Sequence, residues 1–438
     1  MIRGNETQRP WPRVALAWYT AAVLFLAYTV AFIDRAILSI LVEPMRRDLS
    51  INDTQVGLLA GVAFVIFYVG LGVPLGLVAD RWNRKRLITI SIVFWSAMTA
   101  ACGLARTFGQ LFVARIGVGV GEAGLSPASY SLIADLFPAN RRGAPLGLYN
   151  AAIYLGSGLA MIIGAAVVAR VGHAGVLHLA LLGPVRPWQT VFFVVALPGF
   201  LVALLMTTVR EPVRHTHTET DERPSLGETF SHIRAQARLY LMHFLAFGFL
   251  AAPSSILFLW ARPFLTRRFG IAPADAGYWI GLLLIVCATT GMMLGSAFAD
   301  ALQSRGIRDG TIRVGLTASL CLIGPLAVLG ALPTVQLALC DIGLMLFFGA
   351  SAFGAAPAAL QLVTPNRIRA VVSGLYLLTL NLIGATAAPA ITGALTDYVF
   401  RNTAETGWSI SIVGSISAAL GAMFFLLVRR PFLAALPA

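Results

Sequence analysis

The sequence predicts an all-α membrane protein of about twelve transmembrane helices, arranged as two pseudo-symmetric six-helix halves. Three observations carry that prediction: a charge-poor composition, a succession of long apolar segments interrupted once by a polar stretch, and a short internal repeat. Hydrophobic residues make up 58% of the 438 positions and charged residues only 12%, whereas soluble domains carry about a quarter charged residues. Mean hydropathy is +0.80. A spanning helix takes about 20 apolar residues, so a chain of this length with short loops accommodates about twelve.

The apolar segments of the first set run Val14–Leu41, Gln55–Val78, Leu87–Leu104, Leu111–Phe137, Leu146–Val168 and Trp188–Val209. Those of the second run Leu239–Leu265, Ala274–Asp300, Ile312–Leu332, Val335–Val363, Ala370–Tyr398 and Trp408–Val428. Between the sets, Arg210 to Arg234 is polar, with His215, His217, Asp221, Glu222 and Pro224. It reads as a linker, which divides the chain into residues 1–209, 210–234 and 235–438. The first apolar run lacks a small-x-small cleavage site and is too long for a signal-peptide core, so it is taken as a retained span. Gly119, Gly124 and Pro127 recur as Gly349, Gly354 and Pro357 at one offset, and Gly147-Leu148-Tyr149 recurs as Gly374-Leu375-Tyr376. Each copy falls in the same helix of its half, as a duplicated transporter requires.

The formal charge of +13 could suggest nucleic acid, but 31 of the 32 basic residues are Arg and lie mostly at helix ends. No nucleic-acid partner is expected. With the N-terminus inside, inner segments carry 21 Arg or Lys and outer loops 9, which places both termini in the cytoplasm. Cys102, Cys287, Cys321 and Cys340 lie in apolar segments without a CxxC pattern and read as packing residues. No nucleophile–base pair or ligand cluster stands out, so no catalytic residue, cofactor or metal is assigned. The string Gly117-Val118-Gly119-Val120-Gly121 superficially suggests a nucleotide loop; no Walker lysine follows, and helix packing explains it better. His173 and His178 in an outer loop, like His215 and His217, read as solvated.

Charges inside the apolar segments point to function, because ionisable groups at membrane depth are costly and face a partner or a water-filled path. Arg115, Gly119, Glu122 and Ser126 form one helical stripe, with glycine leaving room beside the charges. On the first helix Tyr28, Phe32 and Arg35 share a face, while Asp34 turns about 100° away. Counted along the helices, Arg115, Asp34 and Glu122 lie roughly 10, 15 and 20 Å from the outer side, so the four charged groups can meet near the midplane. An Arg there offers a forked donor set for phosphate or carboxylate. A carboxyl group in a partly dry site can carry a proton as its surroundings change. The alternative is a static ion-pair network that fixes helix packing. On the repeat offset Met345 replaces Arg115 and Ala352 replaces Glu122, so the charge is confined to the first half. The second offers Ser254, Ser255, Trp260, Tyr376 and Asn381 as lining. Asp135, close to Arg141-Arg142, reads as a gate or a structural salt bridge.

After the second segment, Gly76-Leu77-Val78-Ala79-Asp80-Arg81-Trp82-Asn83-Arg84-Lys85 matches G-x-x-x-D-R-x-x-R-K, a signature that resembles the major facilitator superfamily. The resemblance implies that Asp80, Arg81, Arg84 and Lys85 latch the halves on the cytoplasmic side. The second copy is degraded, with Ala301 and Ser304 where Arg81 and Arg84 would stand. Within that superfamily, Arg115–Ala123, Pro127, Asp135-Leu136-Phe137-Pro138 and Phe32-Ile33-Asp34-Arg35 look like the Spinster family, bacterial type. That likeness implies export of sphingosine-1-phosphate or lysophospholipid. The expectation is therefore a proton-coupled secondary transporter of an amphipathic anion, monomeric and set among the lipids of a bacterial inner membrane. Asp34 and Glu122 would carry protons; Arg35, Arg115, Ser126, Tyr28 and Phe32 would bind substrate. A proton-linked transporter of a small organic or aromatic carboxylate, using the same groups, is the alternative.

Overall fold

The computed structural model describes residues 11–138, 143–172, 177–179, 183–214, 226–353, 359–360, 363–365 and 368–436. Ten helices there are long and apolar enough to cross a membrane. The fourth and tenth predicted segments contribute shorter helices, Phe108–Glu122 with Leu125–Leu136, and Val335–Ser351. Both open on a threonine cap: Thr107 accepts from the Gln110 N–H and Thr334 from the Leu337 N–H, satisfying an orphan donor of the first turn.

The first span, Val14–Leu49, continues past Pro44 and ends on Ser50 in the left-handed region at φ 52°. The second is broken at Gly61 into Asp53–Ala60 and Val62–Arg81. A Cβ on Gly57 would lie 2.7 Å from the Ala390 backbone and one on Gly61 2.8 Å from that of Thr386. This Gly-x-x-x-Gly pair lets the second and eleventh spans approach backbone to backbone. The third, fifth and sixth spans are Arg84–Cys102, Gly143–Gly172 and Pro187–Met206. A hairpin of β1 (Leu177–Leu179) and β2 (Gly183–Val185) precedes the sixth. It is a small departure from the all-α expectation, with His178 opposite Pro184 in the pairing.

In the predicted linker, Leu226–Ala235 is helical, while His173, His215 and His217 lie outside the described residues. The seventh span is Ala237–Phe269. The eighth joins Pro273–Leu283 to Thr289–Ser304 through a π-helical turn, and the ninth is Gly310–Val328. The eleventh begins as Arg369–Leu380 and carries two further π-helical stretches up to Phe400. The twelfth is Thr406–Ala435.

Up-and-down alternation puts the start of the first span and the end of the twelfth on one face, here termed proximal. Two ion-pair groups on the proximal face each join parts of one set of six spans or the residues directly after it. Arg84 pairs with Asp135 and, at 2.8 Å, with Glu211, and Asp309 pairs with Arg313 and Arg429 at 2.8 and 2.5 Å. The distal face is bridged between the sets. Arg267 of the seventh span reaches Glu43 at 2.6 Å and Asp53 at 2.7 Å, and Asp397 of the eleventh accepts from Thr54. Arg262, within the apolar segment Leu239–Leu265, is buried in the seventh span and donates to backbone carbonyls of the first.

Candidate functional site

Gly119 organises the site. A Cβ there would collide with the Phe64 carbonyl, so the room beside the charges is filled by the backbone of the second span. That approach sets the Phe64 ring against both arginines, 4.7 Å from the Arg35 guanidinium and 5.4 Å from that of Arg115. Gly121 faces the other way, admitting Trp95 of the third span; the glycine string is helix packing.

The charged groups meet, but not in the sequence-adjacent pairing. Arg35 binds Glu122 across the first and fourth spans, Nε to Oε2 at 2.7 Å and a second nitrogen at 2.6 Å. Neighbours i and i+1 on a helix point about 100° apart, so Asp34 cannot serve Arg35. It faces the third span, where the Thr99 hydroxyl donates to Oδ2. Arg115, which shares a helix face with Glu122, does not take it as partner. Its side chain is 1% exposed, and its Nε and one terminal nitrogen have no hydrogen-bond partner in the protein. One oxygen of each carboxylate, Asp34 Oδ1 and Glu122 Oε1, is likewise unpartnered.

The Arg35 guanidinium is held by aromatic faces: Phe32 at 4.7 Å, Phe64 at 4.7 Å and Tyr68 at 4.5 Å. Tyr28 meets Phe32 edge-on at 5.0 Å and stacks on Tyr149 at 4.3 Å. Ser126 lies just beyond the break in the fourth span and contacts the Tyr149 hydroxyl at 3.3 Å. Thr99, Phe64, Tyr68 and Tyr149 escaped the sequence reading. The spacing of Phe64 and Tyr68, four apart on an apolar span, was the available signal for that pair.

Two of the second-half candidates are buried within their own half. Trp260 is fully buried, its indole donating to the Pro389 carbonyl at 3.0 Å. Tyr376 packs against His243 and Phe247. A buried indole or phenol serves its own half's packing. The eleventh span instead exposes Val371, Leu375, Leu378 and Leu382 on one stripe.

Residues 24–389 match the family described as Major Facilitator Superfamily. The chain belongs to that superfamily. It is 28% identical over 402 residues to an MFS-type efflux pump of Mycolicibacterium smegmatis, covering 90% of this chain and 88% of the relative. It is 29% identical over 411 residues to protein spinster homolog 1 of Homo sapiens, covering 87% and 73%. A probable galactarate/D-glucarate transporter of Bacillus subtilis is 26% identical over 445 residues, covering 95% and 92%. Among solved structures, a bacterial homolog of the human lysosomal transporter Spinster, inward-facing and unoccupied, superposes with TM-score 0.83 at 24% identity. That likeness covers 98% of this chain and all of the other.

The superfamily signature lies at the proximal end of the second and third spans, where Arg84 and Lys85 bond to groups of the first six spans and of the residues directly after them. Arg84 is 1% exposed; it pairs with Asp135 and Glu211 and donates to the Ser131 carbonyl at 3.1 Å. Asp135 pairs with Arg84 because the start of the third span packs on the end of the fourth, which fits the structural salt bridge expected of it. Arg141 and Arg142 lie outside the described residues, as does the Asp80 side chain. The Lys85 ammonium donates to the Thr207 carbonyl at 2.7 Å, and Arg81 is exposed. Asp135→Asn would leave Arg84 buried with a weakened partner set. Breaking a buried pair costs about 3–5 kcal/mol, and the remaining Glu211 should hold the loss near the lower end. Thermal unfolding of the purified protein is expected to fall by several degrees; an unaltered midpoint would show the pair to be dispensable.

Proposed function

We propose that the chain is a proton-coupled secondary transporter moving an amphipathic anion of lysophospholipid type by alternating access. The observation that carries this reading is Arg115, buried in the charged cluster with two guanidinium nitrogens free of any protein partner. Glu122 already engages Arg35, so Arg115 is the group with donors to spare for phosphate. The aromatic surround of Arg35 and the exposed apolar stripe of the eleventh span supply the apolar contact an acyl chain needs.

Charge balance supports coupling. Asp34, Glu122, Arg35 and Arg115 sum to zero when both carboxyls are ionised. Adding an anion to a neutral, poorly solvated cluster is costly; protonating one carboxyl first leaves a net positive charge to receive it. Proton and anion binding therefore favour each other, and by linkage the effect is reciprocal. Affinity for the anion is expected to rise as pH falls, and Glu122→Gln should flatten that dependence. Calorimetric titration at several pH values checks it, and a pH-independent affinity in the parent would contradict the coupling.

In this reading residues 1–209 and 235–438 rock as two bodies joined by 210–234. The positive-inside bias supports a cytoplasmic proximal face, and in that orientation the distal bridging contacts fit an inward-facing state. Similarity to the galactarate/D-glucarate transporter supports a second reading, in which the same arginines take a small carboxylate. Direct binding of a lysophospholipid and of D-glucarate to the purified protein, followed by counterflow of labelled ligand in vesicles, separates the two. Retention of the lysolipid alone supports the first reading; retention of the sugar acid alone replaces it.

A further inference from the structure

A cavity of about 340 Å³ lies at the distal ends of the first and sixth spans, outside the charged cluster. Such a volume takes a small organic group. Its floor is apolar, made by Leu41 and Pro44 of the first span and by Pro187 and Val191 of the sixth. Its rim is polar, made by Arg47, Asp48 and Trp188. Arg47 stands about 9 Å distal to Leu41 along the helix axis, at 1.5 Å per residue. The cavity therefore runs from a charged mouth to an apolar end.

Hydrogen bonds fix the rim. Trp188 is 2% exposed, and its indole donates to Asp48 Oδ2 at 2.7 Å. Arg186 holds the other oxygen of that carboxylate at 2.9 Å and the Asp48 carbonyl at 3.0 Å. The start of the sixth span is anchored in turn: the Gln189 amide accepts from the Arg186 N–H at 2.8 Å and donates to the Ala105 carbonyl at 2.8 Å. Asp48 thus has both oxygens engaged, and its charge is balanced by Arg186. Arg47 is exposed and makes no ion pair or hydrogen bond with any described residue. One positive charge is left over, at the mouth of an apolar cavity.

We propose that this cavity binds an anionic phospholipid of the distal leaflet, with the phosphodiester on Arg47 and the glycerol and first methylenes against Leu41, Pro44 and Val191. A phosphodiester carries one negative charge, which the uncompensated guanidinium matches through a charge-assisted contact. The indole at the rim sets the mouth at the level of the headgroups, where tryptophan is enriched. A soluble anion would gain nothing from the apolar floor, whereas a lipid removes methylenes from water there. An amine-bearing headgroup fits less well. Its ammonium would sit beside Arg47 and Arg186, and Asp48 is already doubly bonded. Both spans belong to the first set of six, so the lipid fastens the first span to the sixth without bridging the halves. Its effect falls on the stability of that half, whatever the protein carries.

The test uses the full chain, purified and stripped of lipid in detergent, with dioleoylphosphatidylglycerol as the probe. Native mass spectrometry counts the lipid retained, and thermal unfolding follows the stabilisation. Arg47→Gln removes the exposed charge and leaves the packed rim alone, while Val191→Trp fills the cavity. The parent is expected to hold its tightest phosphatidylglycerol at a lipid concentration at least tenfold lower than Arg47→Gln does. Val191→Trp should retain one lipid fewer, and the rise in unfolding midpoint with this lipid should shrink in both variants. Dioleoylphosphatidylcholine should be held at least tenfold more weakly by the parent. Should Val191→Trp fail to fold, Arg47→Gln decides the matter. Equal retention by the parent and Arg47→Gln overturns the site. Equal retention of the two lipids overturns the choice of headgroup, and full competition by inorganic phosphate would mark a free-anion site and overturn the lipid.

Discussion

Glu122→Gln and Asp34→Asn are each expected to abolish transport driven by an imposed pH gradient, while the protein still folds and exchanges substrate passively. The two substitutions strain the structure differently. Glu122 is the anionic partner of Arg35, with hydrogen bonds at 2.6 and 2.7 Å. Removing one partner of a fully buried pair costs about 3–5 kcal/mol. Arg35 is 18% exposed on its side chain and lies over three aromatic rings, each worth about 0.5–2 kcal/mol to a cation. Its charge is therefore not stranded, and the amide oxygen of Gln still accepts. Asp34→Asn is milder, since Asn keeps an acceptor for the Thr99 hydroxyl. Both variants reconstituted in vesicles should show gradient-independent exchange. If both respond to the gradient as the parent does, neither carboxyl carries the transported proton.

That prediction rests on residues legible in the sequence, but their pairing was not. Charges at membrane depth stand out against an apolar background whatever surrounds them, so Asp34, Arg35, Arg115 and Glu122 could be picked out directly. Helical period also separates Asp34 from the Tyr28–Phe32–Arg35 face. What period cannot give is the rotation of one helix against its neighbour. Whether Glu122 meets Arg115 on its own face or Arg35 on the first span depends on how closely the second span seats on Gly119. That is a tertiary fact, set by the Phe64 backbone. Arg262 was not singled out, for a related reason. A single arginine near the end of an apolar run can lie in a loop or at depth with a partner, and its acceptors in the first span are carbonyls over two hundred residues away. The twelve segments, by contrast, follow from composition and length alone and needed no partner.

Arg115 is where the largest effect on affinity is expected. Its fork has unpartnered nitrogens inside the protein, and its counterpart in the repeat, Met345, is fully buried and uncharged, so the repeat position supplies no matching donors. Arg115→Lys keeps the charge and gives up the planar fork. A bidentate phosphate contact reduced to a point charge should lose about 1–3 kcal/mol of binding free energy. Arg115→Ala goes further, because it deletes the charge as well. The cluster then holds two carboxyls against Arg35 alone, and a proton must be taken up merely to restore neutrality. Anion binding should weaken beyond the lysine variant, and its pH dependence should move along with it. Arg35→Lys is the contrasting substitution: it loosens the Glu122 pair and the aromatic cradle, so it should disturb gradient-driven flux more than affinity. Calorimetry with a lysophospholipid across these variants separates the roles. Parent-like affinity in both Arg115 variants would leave that arginine as packing and move the anion site elsewhere.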